Sequence, residues 1–123
     1  MNKLMIVDDS STMRKIIKRV LRQAEVEVEI ILEAGNGLEA LEQLVANPDI
    51  ALILSDVNMP EMNGIELVKK VREDRDKETL PIIMVTTEGG ESMVSTAMTS
   101  GANGYVTKPF TPDTIRDALN PFL

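Results

Sequence analysis

The sequence has 123 residues, 43% of them hydrophobic and 27% charged, so it has the composition of a folded protein and the length of one domain, residues 1–123. It contains neither Cys nor His, which excludes disulfides, thiol chemistry and imidazole groups as bases or ligands. The formal net charge of −7 argues against nucleic acid as a partner, because phosphate backbones are bound by clustered Lys and Arg. No apolar run is long enough for a signal peptide or a membrane span, so we expect a cytoplasmic protein without membrane insertion.

Short unbroken apolar runs recur along the chain and predict five strands, at residues 4–7, 30–32, 50–54 and 81–85, with a weaker one at residues 104–107. Runs without polar alternation suit a parallel sheet covered on both faces, since no strand face then meets water. Residues 26–30 differ, because Val, Glu, Val, Glu and Ile alternate there. This alternation predicts a strand at the sheet edge with one side partly wet.

Between the strands the apolar spacing becomes helical. Stripes of this kind predict five helices, carried by Met13, Ile16, Ile17, Val20 and Leu21; by Leu38, Leu41, Leu44 and Val45; by Ile65, Val68 and Val71; by Met93, Val94, Ala97 and Met98; and by Ile115, Ala118, Leu119 and Phe122. Ser10 or Ser11 is suited to cap the first helix. Pro112 suits the start of the last helix, and Pro121 is expected to loosen its final turn.

Strict alternation of strands and helices with short connections predicts an α/β fold, a flavodoxin-like doubly wound five-stranded parallel sheet with five helices. We expect the strand order 2-1-3-4-5. Ligands of such sheets bind beyond the carboxyl ends of the strands, where the winding reverses.

Polar groups follow four of the five predicted strands at this edge. Asp8 and Asp9 follow the first strand, Asp56 the third, Thr86 the fourth and Lys108 the fifth. A single Asp after a strand is usually a turn or cap residue, but five converging groups favour a site.

Three carboxylates at one sheet edge would repel one another, by roughly 4 kcal/mol for two charges about 4 Å apart at an effective dielectric of about 20. Protonation or a hard divalent cation such as Mg²⁺ would relieve this repulsion. A cation, a lysine and a hydroxyl around one carboxylate form a pocket for a phosphoryl group, and the central carboxylate would be the nucleophile that forms an acyl phosphate.

Four stretches of the chain resemble the receiver domains of bacterial two-component response regulators, most closely those of chemotaxis. They are "LMIVDDSSTMRKII", "LILSDVNMPEMNGIELVKKVR", "LPIIMVTTEGG" and "GANGYVTKPFTPDTI". They occur in family order at family spacing and cover nearly the whole chain. The family has the strand order expected above, so that order is not independent of the resemblance.

The resemblance implies that Asp56 is the phosphorylated residue and that Mg²⁺ is the cofactor. The metal would be held by the side chains of Asp9 and Asp56 and by the backbone carbonyl of Asn58, with Asp8 acting indirectly through water. Lys108 would contact the phosphoryl oxygens. The bond between Lys108 and Pro109 is expected to be cis.

The resemblance also implies a switch, in which Thr86 turns its hydroxyl towards the phosphoryl group and Tyr105 swings inward. From the residues alone, the favoured interpretation of Tyr105 is a core aromatic. Asn58 and Glu88 match the chemotaxis pattern, whereas Val57 and Ser10 depart from it. The surface that a partner would read contains Val94, Met98, Tyr105, Thr107, Phe110 and Thr111.

The partners implied are a chemotaxis histidine kinase as phosphoryl donor, a flagellar motor switch protein as target and, as a further candidate, a phosphatase. The chain would catalyse only its own phosphorylation and dephosphorylation, and would not be an enzyme acting on other substrates. A phosphorelay intermediate or a receiver cut from a longer regulator would have nearly the same sequence. An aspartyl-phosphate phosphatase would need an Asp-x-Asp signature at its nucleophile, where this chain has Asp56-Val57-Asn58, and a flavin carrier would need more aromatic residues.

Overall fold

Strands and helices alternate along the chain in the computed structural model, which describes residues 1–87 and 89–123. The elements are β1 (Lys3–Val7), α1 (Ser11–Gln23), β2 (Ile30–Ala34), α2 (Gly37–Ala46), β3 (Ile50–Ser55), α3 (Gly64–Arg72), β4 (Ile82–Thr86), α4 (Glu91–Ser100), β5 (Gly104–Thr107), α5 (Pro112–Leu119) and a final 3-10 turn (Asn120–Phe122). None of the helices in these two ranges is both long and apolar enough to cross a membrane.

Within the described residues, all five strands are parallel and lie in the predicted order β2-β1-β3-β4-β5. β1 lies between β2 and β3, so that Val7 is paired with Ala34 on one side and with Ser55 on the other. The winding of the chain reverses at this point in the sheet. The carboxyl ends of β1 and β3 are therefore neighbours.

Both faces of the sheet are buried against helices, as the unbroken apolar runs predict. Successive side chains of a strand point to opposite faces. In β3, Ile53 packs into the cluster covered by α2, α3 and α4, whereas Leu52 and Leu54 pack into the cluster covered by α1 and α5. All three are fully buried, and each contributes about 1.5–3 kcal/mol relative to an exposed position.

The structure at the helix ends agrees with the predictions made for the capping serine and the two prolines. The hydroxyl of Ser10, the first of the two candidate serines, accepts a hydrogen bond of 3.1 Å from the Met13 amide and caps α1. Pro112 is the first residue of α5. That helix ends at Leu119, and Pro121 lies in the 3-10 turn that follows, which confirms that the final turn is loosened.

The predicted edge strand over residues 26–30 is wrong, because β2 begins only at Ile30 and continues to Ala34. Ile30 is paired with Lys3, the first residue of β1, so the residues before Ile30 have no β1 residue opposite them. Val26 is nevertheless buried against the core below α1 and α5. The alternation therefore marks a loop whose apolar side chains reach the core.

α2 packs through a narrower face than its apolar spacing suggests. Ala40 and Leu44 are buried in the core. Leu38 and Val45 belong to the same apolar stripe but are 44% and 85% exposed. Only part of the apolar stripe of α2 is therefore buried.

Candidate functional site

The polar residues predicted at the strand ends converge at the carboxyl edge of the sheet. Asp8 and Asp9 follow β1, and Asp56 follows the neighbouring strand β3. One carboxylate oxygen from each of the three lies within 4.8 Å of the others. Asp8 is buried, Asp56 is half-buried and Asp9 is exposed, so the cluster is closed on one side and open to solvent on the other.

Every polar group of Asp8 forms a hydrogen bond. Its amide donates to the Ala34 carbonyl at 3.0 Å, which continues the ladder between β1 and β2. The Ser10 amide donates to Oδ1 at 2.9 Å, and Lys108 Nζ donates to Oδ2 at 3.0 Å. Arg14 Nη1 donates to the Asp8 carbonyl oxygen at 2.6 Å. The backbone and carboxylate of Asp8 are thereby fixed together.

Asp56 is anchored by its backbone and has its carboxylate at the surface of the site. Its amide donates to the Val7 carbonyl at 2.9 Å, and its own carbonyl accepts from Ser55 Oγ at 2.9 Å. Oδ1 accepts a hydrogen bond of 2.7 Å from the Val57 amide. Oδ2 lies 3.5 Å from Lys108 Nζ. One carboxylate oxygen is thus oriented by the backbone and the other faces the lysine.

Lys108 reaches the two carboxylates from the end of β5. Its amide donates to the Thr86 carbonyl at 2.8 Å, which fixes the start of its side chain beside β4. The Lys108–Pro109 bond is cis, as predicted. The lysine side chain is 11% exposed and pairs with both Asp8 and Asp56.

The loop after β3 is shaped by close backbone approach at Gly64. A Cβ at this position would run into the Asp56 carbonyl oxygen and lie 2.7 Å from the Met84 methyl group. The Gly64 amide donates to the Val57 carbonyl at 2.8 Å, which folds α3 back towards the site. Asn58, predicted to offer its carbonyl, is exposed within this loop. Any side chain at position 64 would displace the backbone of Asp56.

The chemistry of these donors fits a hard divalent cation. Three clustered carboxylates are only partly neutralised by the ammonium group of Lys108. Carboxylate, carbonyl and water oxygens are the ligands that Mg²⁺ prefers, and it commonly keeps several waters. The exposed side of the cluster at Asp9 leaves room for such waters.

Comparison with known proteins identifies the family of the chain. Residues 4–120 match the model of the response regulator receiver domain. The chain belongs to this family. Chemotaxis protein CheY1 of Helicobacter pylori is 52% identical to this receiver domain, over 98% of the chain and 96% of the relative. The chemotaxis protein CheY homolog of Campylobacter jejuni is 51% identical, over 98% of the chain and 92% of that protein.

The solved structures agree with the sequence relatives. A structure of chemotaxis protein CheY4 of Vibrio cholerae aligns with this receiver domain at a TM-score of 0.84 and 38% identity, covering 100% of the chain and 99% of that structure. The predicted resemblance to receiver domains, with CheY proteins among the relatives, is therefore confirmed. So is the flavodoxin-like fold.

The two predicted switch residues of the receiver domain lie on adjacent strands. Thr86 is the last residue of β4 and is fully buried. Tyr105 in β5 is paired with Met84, two residues before Thr86, and its half-buried side chain packs against the core below α4. Glu88, which follows Thr86 by two positions, lies outside the described residues. The structure thus places Thr86 between the acidic cluster and the strand that carries Tyr105.

The predicted partner surface lies along α4, β5 and the start of α5, at Val94, Met98, Tyr105, Thr107, Phe110 and Thr111. Tyr105 and Thr107 are two positions apart in β5 and point to the same side. Phe110 packs against the core below α1 and α5. Thr111 Oγ1 accepts from the Thr114 amide at 3.2 Å and caps α5. Phe110 and Thr111 therefore also support the fold.

A group of charged residues beside the acidic cluster is not marked by any of the motifs in the sequence. Glu33 in β2 binds Arg14 Nε through Oε1 and Lys18 Nζ through Oε2, both at 2.9 Å. The hydrogen bond from Lys18 is the largest influence on Glu33 and lowers its pKa from the ordinary value of 4.5. Burial opposes this effect, and the bond from Arg14 and the charges of both cations add to it. The i, i+4 spacing of Arg14 and Lys18 places both on one face of α1, which is the only signal the sequence offers for this group.

Proposed function

We propose that this receiver domain is a magnesium-dependent phospho-acceptor switch in which Asp56 takes a phosphoryl group from a histidine kinase of the chemotaxis type. The proposal is carried by one observation, the meeting of the Asp8, Asp9 and Asp56 carboxylates within 4.8 Å beside the ammonium group of Lys108. The relatives that are 52% and 51% identical are chemotaxis proteins by name, which supports the pathway.

The acceptor step needs little covalent chemistry from the protein. A carboxylate oxygen of Asp56 attacks the phosphorus of a phosphohistidine, and the phosphorus–nitrogen bond breaks. The electron pair stays on the imidazole nitrogen, which takes up a proton from solvent. Lys108, 3.5 Å from Asp56 Oδ2, is placed to contact the phosphoryl oxygens and to balance their charge. The Val57 amide orients the other carboxylate oxygen of Asp56.

Receiver domains bind Mg²⁺ at an acidic pocket, and the carboxylate cluster of this chain fits such a site. Asp9 and Asp56 would hold the ion through their side chains, and Asn58 through its backbone carbonyl. Asp8 would act through water, since its own oxygens already accept from Ser10 and Lys108. When bound, Mg²⁺ supplies positive charge that stabilises the phosphoryl oxygens during transfer.

The output is a change in population between two conformations. Phosphorylation favours the state in which Thr86 turns its hydroxyl to the phosphoryl group and Tyr105 moves inward. The shift can be no larger than the difference in free energy with which the phosphoryl group stabilises the two states. The surface of α4, β5 and α5 then binds a flagellar motor switch protein, and a phosphatase resets the switch.

Transfer from a phosphorylated histidine kinase tests the acceptor role. The wild-type chain should take up label when Mg²⁺ is present, and Asp56→Asn should take up none. Asp74→Asn, which removes an exposed carboxylate away from the site, is the matched control and should label normally. Undiminished labelling of Asp56→Asn would disprove the assignment of Asp56.

The output is tested separately by binding to a purified motor switch protein. Binding should strengthen when Asp56 is phosphorylated. A chain that instead passes its phosphoryl group to a histidine phosphotransfer protein, with no change in motor binding, is a phosphorelay carrier. Steady hydrolysis of small phosphate esters would point to an aspartyl-phosphate phosphatase.

A further inference from the structure

Arg14 connects three parts of the molecule beside the acidic cluster. It lies in the first turn of α1, and its side chain is 19% exposed. Nη1 donates to the carbonyl oxygen of Asp8 at 2.6 Å, and Nε donates to Glu33 Oε1 at 2.9 Å. Glu33 is paired with Ile6 across β1 and β2. The guanidinium group therefore ties α1 to the loop after β1 and to the edge strand.

The carbonyl that Arg14 holds belongs to the peptide between Asp8 and Asp9. This peptide is planar, so a hydrogen bond to its oxygen also sets the direction in which the chain enters Asp9. Within residues 1–87 and 89–123, no hydrogen bond or ion pair holds the Asp9 carboxylate, which is exposed. The position of that carboxylate therefore depends on the backbone that Arg14 fixes.

Glu33 determines how Arg14 is aimed. It is itself held by Lys18 Nζ at 2.9 Å, so its carboxylate is fixed between two cations of α1. A guanidinium group is planar and presents its donors in a rigid fork, so binding at Nε fixes where Nη1 points. A lysine at position 14 has one rotatable ammonium group and lacks this fixed geometry.

We propose that Arg14, aimed by Glu33, is a positioning residue that preorganises the Asp8–Asp9 backbone for a divalent cation. It rests on the proposed function, because it assigns a role in Mg²⁺ binding to a residue that does not contact the ion. Outer residues that orient metal ligands typically change metal affinity by about 10- to 100-fold when mutated.

Loss of the charge of Arg14 and loss of its bond to Asp8 would change the affinity for Mg²⁺ in opposite directions, so the proposal can be tested. Arg14 is a cation close to the carboxylate cluster, so removing its charge alone would tighten the binding of another cation. Removing the bond to Asp8 frees the peptide before Asp9 and would weaken binding. Weaker Mg²⁺ binding after loss of Arg14 therefore cannot come from charge.

The experiment is titration of the intact chain with Mg²⁺ by calorimetry at fixed ionic strength. Arg14→Met should weaken binding about tenfold, and Arg14→Lys, which keeps the charge, should recover only part of this loss. Lys15→Met is the matched control, since it removes one positive charge from an exposed position of the same helix and leaves the bonds that join Arg14 to Glu33 and Asp8. Its Mg²⁺ affinity should stay within about twofold of wild type.

Urea unfolding in EDTA separates positioning from loss of structure. If Arg14→Met is too unstable to titrate, Glu33→Gln keeps the arginine but loosens its aim and removes a nearby negative charge, and should weaken Mg²⁺ binding by a smaller factor. Glu33→Gln should add nothing in an Arg14→Lys background if it acts through the guanidinium geometry. Unchanged or tighter binding by Arg14→Met, or by Glu33→Gln where that variant stands in, overturns the inference. Absence of Mg²⁺ binding by the wild-type chain would instead overturn the proposed function.

Discussion

Lys108 Nζ lies 3.0 Å from Asp8 Oδ2, with side chains that are 11% and 2% exposed. A pair this deeply buried contributes little net stability when it is intact, because both charges have lost their hydration. Removing one partner is costly, since the other charge stays buried without compensation. The lysine therefore holds the carboxylates of Asp8 and Asp56 together, apart from its role in the proposed phosphoryl transfer.

Lys108→Met should lower the free energy of unfolding by about 2 kcal/mol in EDTA, because Asp8 and Asp56 lose their shared cation. Urea unfolding measures this loss. Lys77→Met, at an exposed position, should leave the midpoint unchanged. An unaltered midpoint for Lys108→Met would mean that the pair is not formed in solution.

Asp9→Asn should raise the free energy of unfolding in EDTA by about 1 kcal/mol, because it removes one of three clustered negative charges. In saturating Mg²⁺ the order should reverse, so that Asp9→Asn has a lower free energy of unfolding than wild type. At 100 times its Kd, the ion stabilises the wild-type chain by about 2.7 kcal/mol, and the variant has lost a ligand. Parallel urea curves with and without Mg²⁺ test both halves, with Asp74→Asn as the neutral control. A variant less stable than wild type in EDTA would contradict the repulsion.

Gly64→Ala should cost about 2 kcal/mol or more and slow phosphorylation, because the added Cβ meets the Asp56 carbonyl and the Met84 methyl group. Gly104→Ala is the matched control. Its Cβ would lie 3.5 Å from Ile83 Cγ1, an ordinary contact, so stability should change little. Equal stabilities for the two variants would show that a Cβ at position 64 can be accommodated beside the Asp56 carbonyl oxygen.

Glu33 should make stability depend on pH. Its pKa is lowered in the folded state by Lys18 and Arg14, so its contribution is fully present above its ordinary value of 4.5 and is lost as the pH falls through the folded pKa. Because the carboxylate is partly exposed, the contribution at neutral pH is below about 1 kcal/mol. The stability difference between wild type and Glu33→Gln should shrink below pH 4.5. A difference that grows in acid would have the wrong sign for this linkage.

The sequence predicts the sheet and the site well because both depend on patterns along the chain. Apolar runs mark β1, β3 and β4, and the residues just after β1 and β3 meet because parallel strands end at one edge. Once the order places β1 beside β3, the meeting of Asp8 and Asp56 follows. The expectation of a divalent cation came from the clustered carboxylates, whereas the individual ligand roles and the switch came from resemblance, and all of them stay predictions.

Features that depend on packing in three dimensions could not be predicted. The alternation at residues 26–30 has the period of a strand, but pairing also requires a partner backbone, and β1 begins opposite Ile30. The bond from Arg14 to Asp8 is another case. It needs the distance between α1 and β2, which the i, i+4 spacing of Arg14 and Lys18 does not give.

The most direct test of the central claim is to locate the phosphoryl group on the chain. Wild-type protein is phosphorylated with acetyl phosphate and Mg²⁺, the acyl phosphate is reduced with borohydride, and peptides are sequenced by mass spectrometry. We expect modification at Asp56 alone, abolished by EDTA and by Asp56→Asn. Modification at Asp8 or Asp9 in the wild-type chain, or none with Mg²⁺ present, would contradict it.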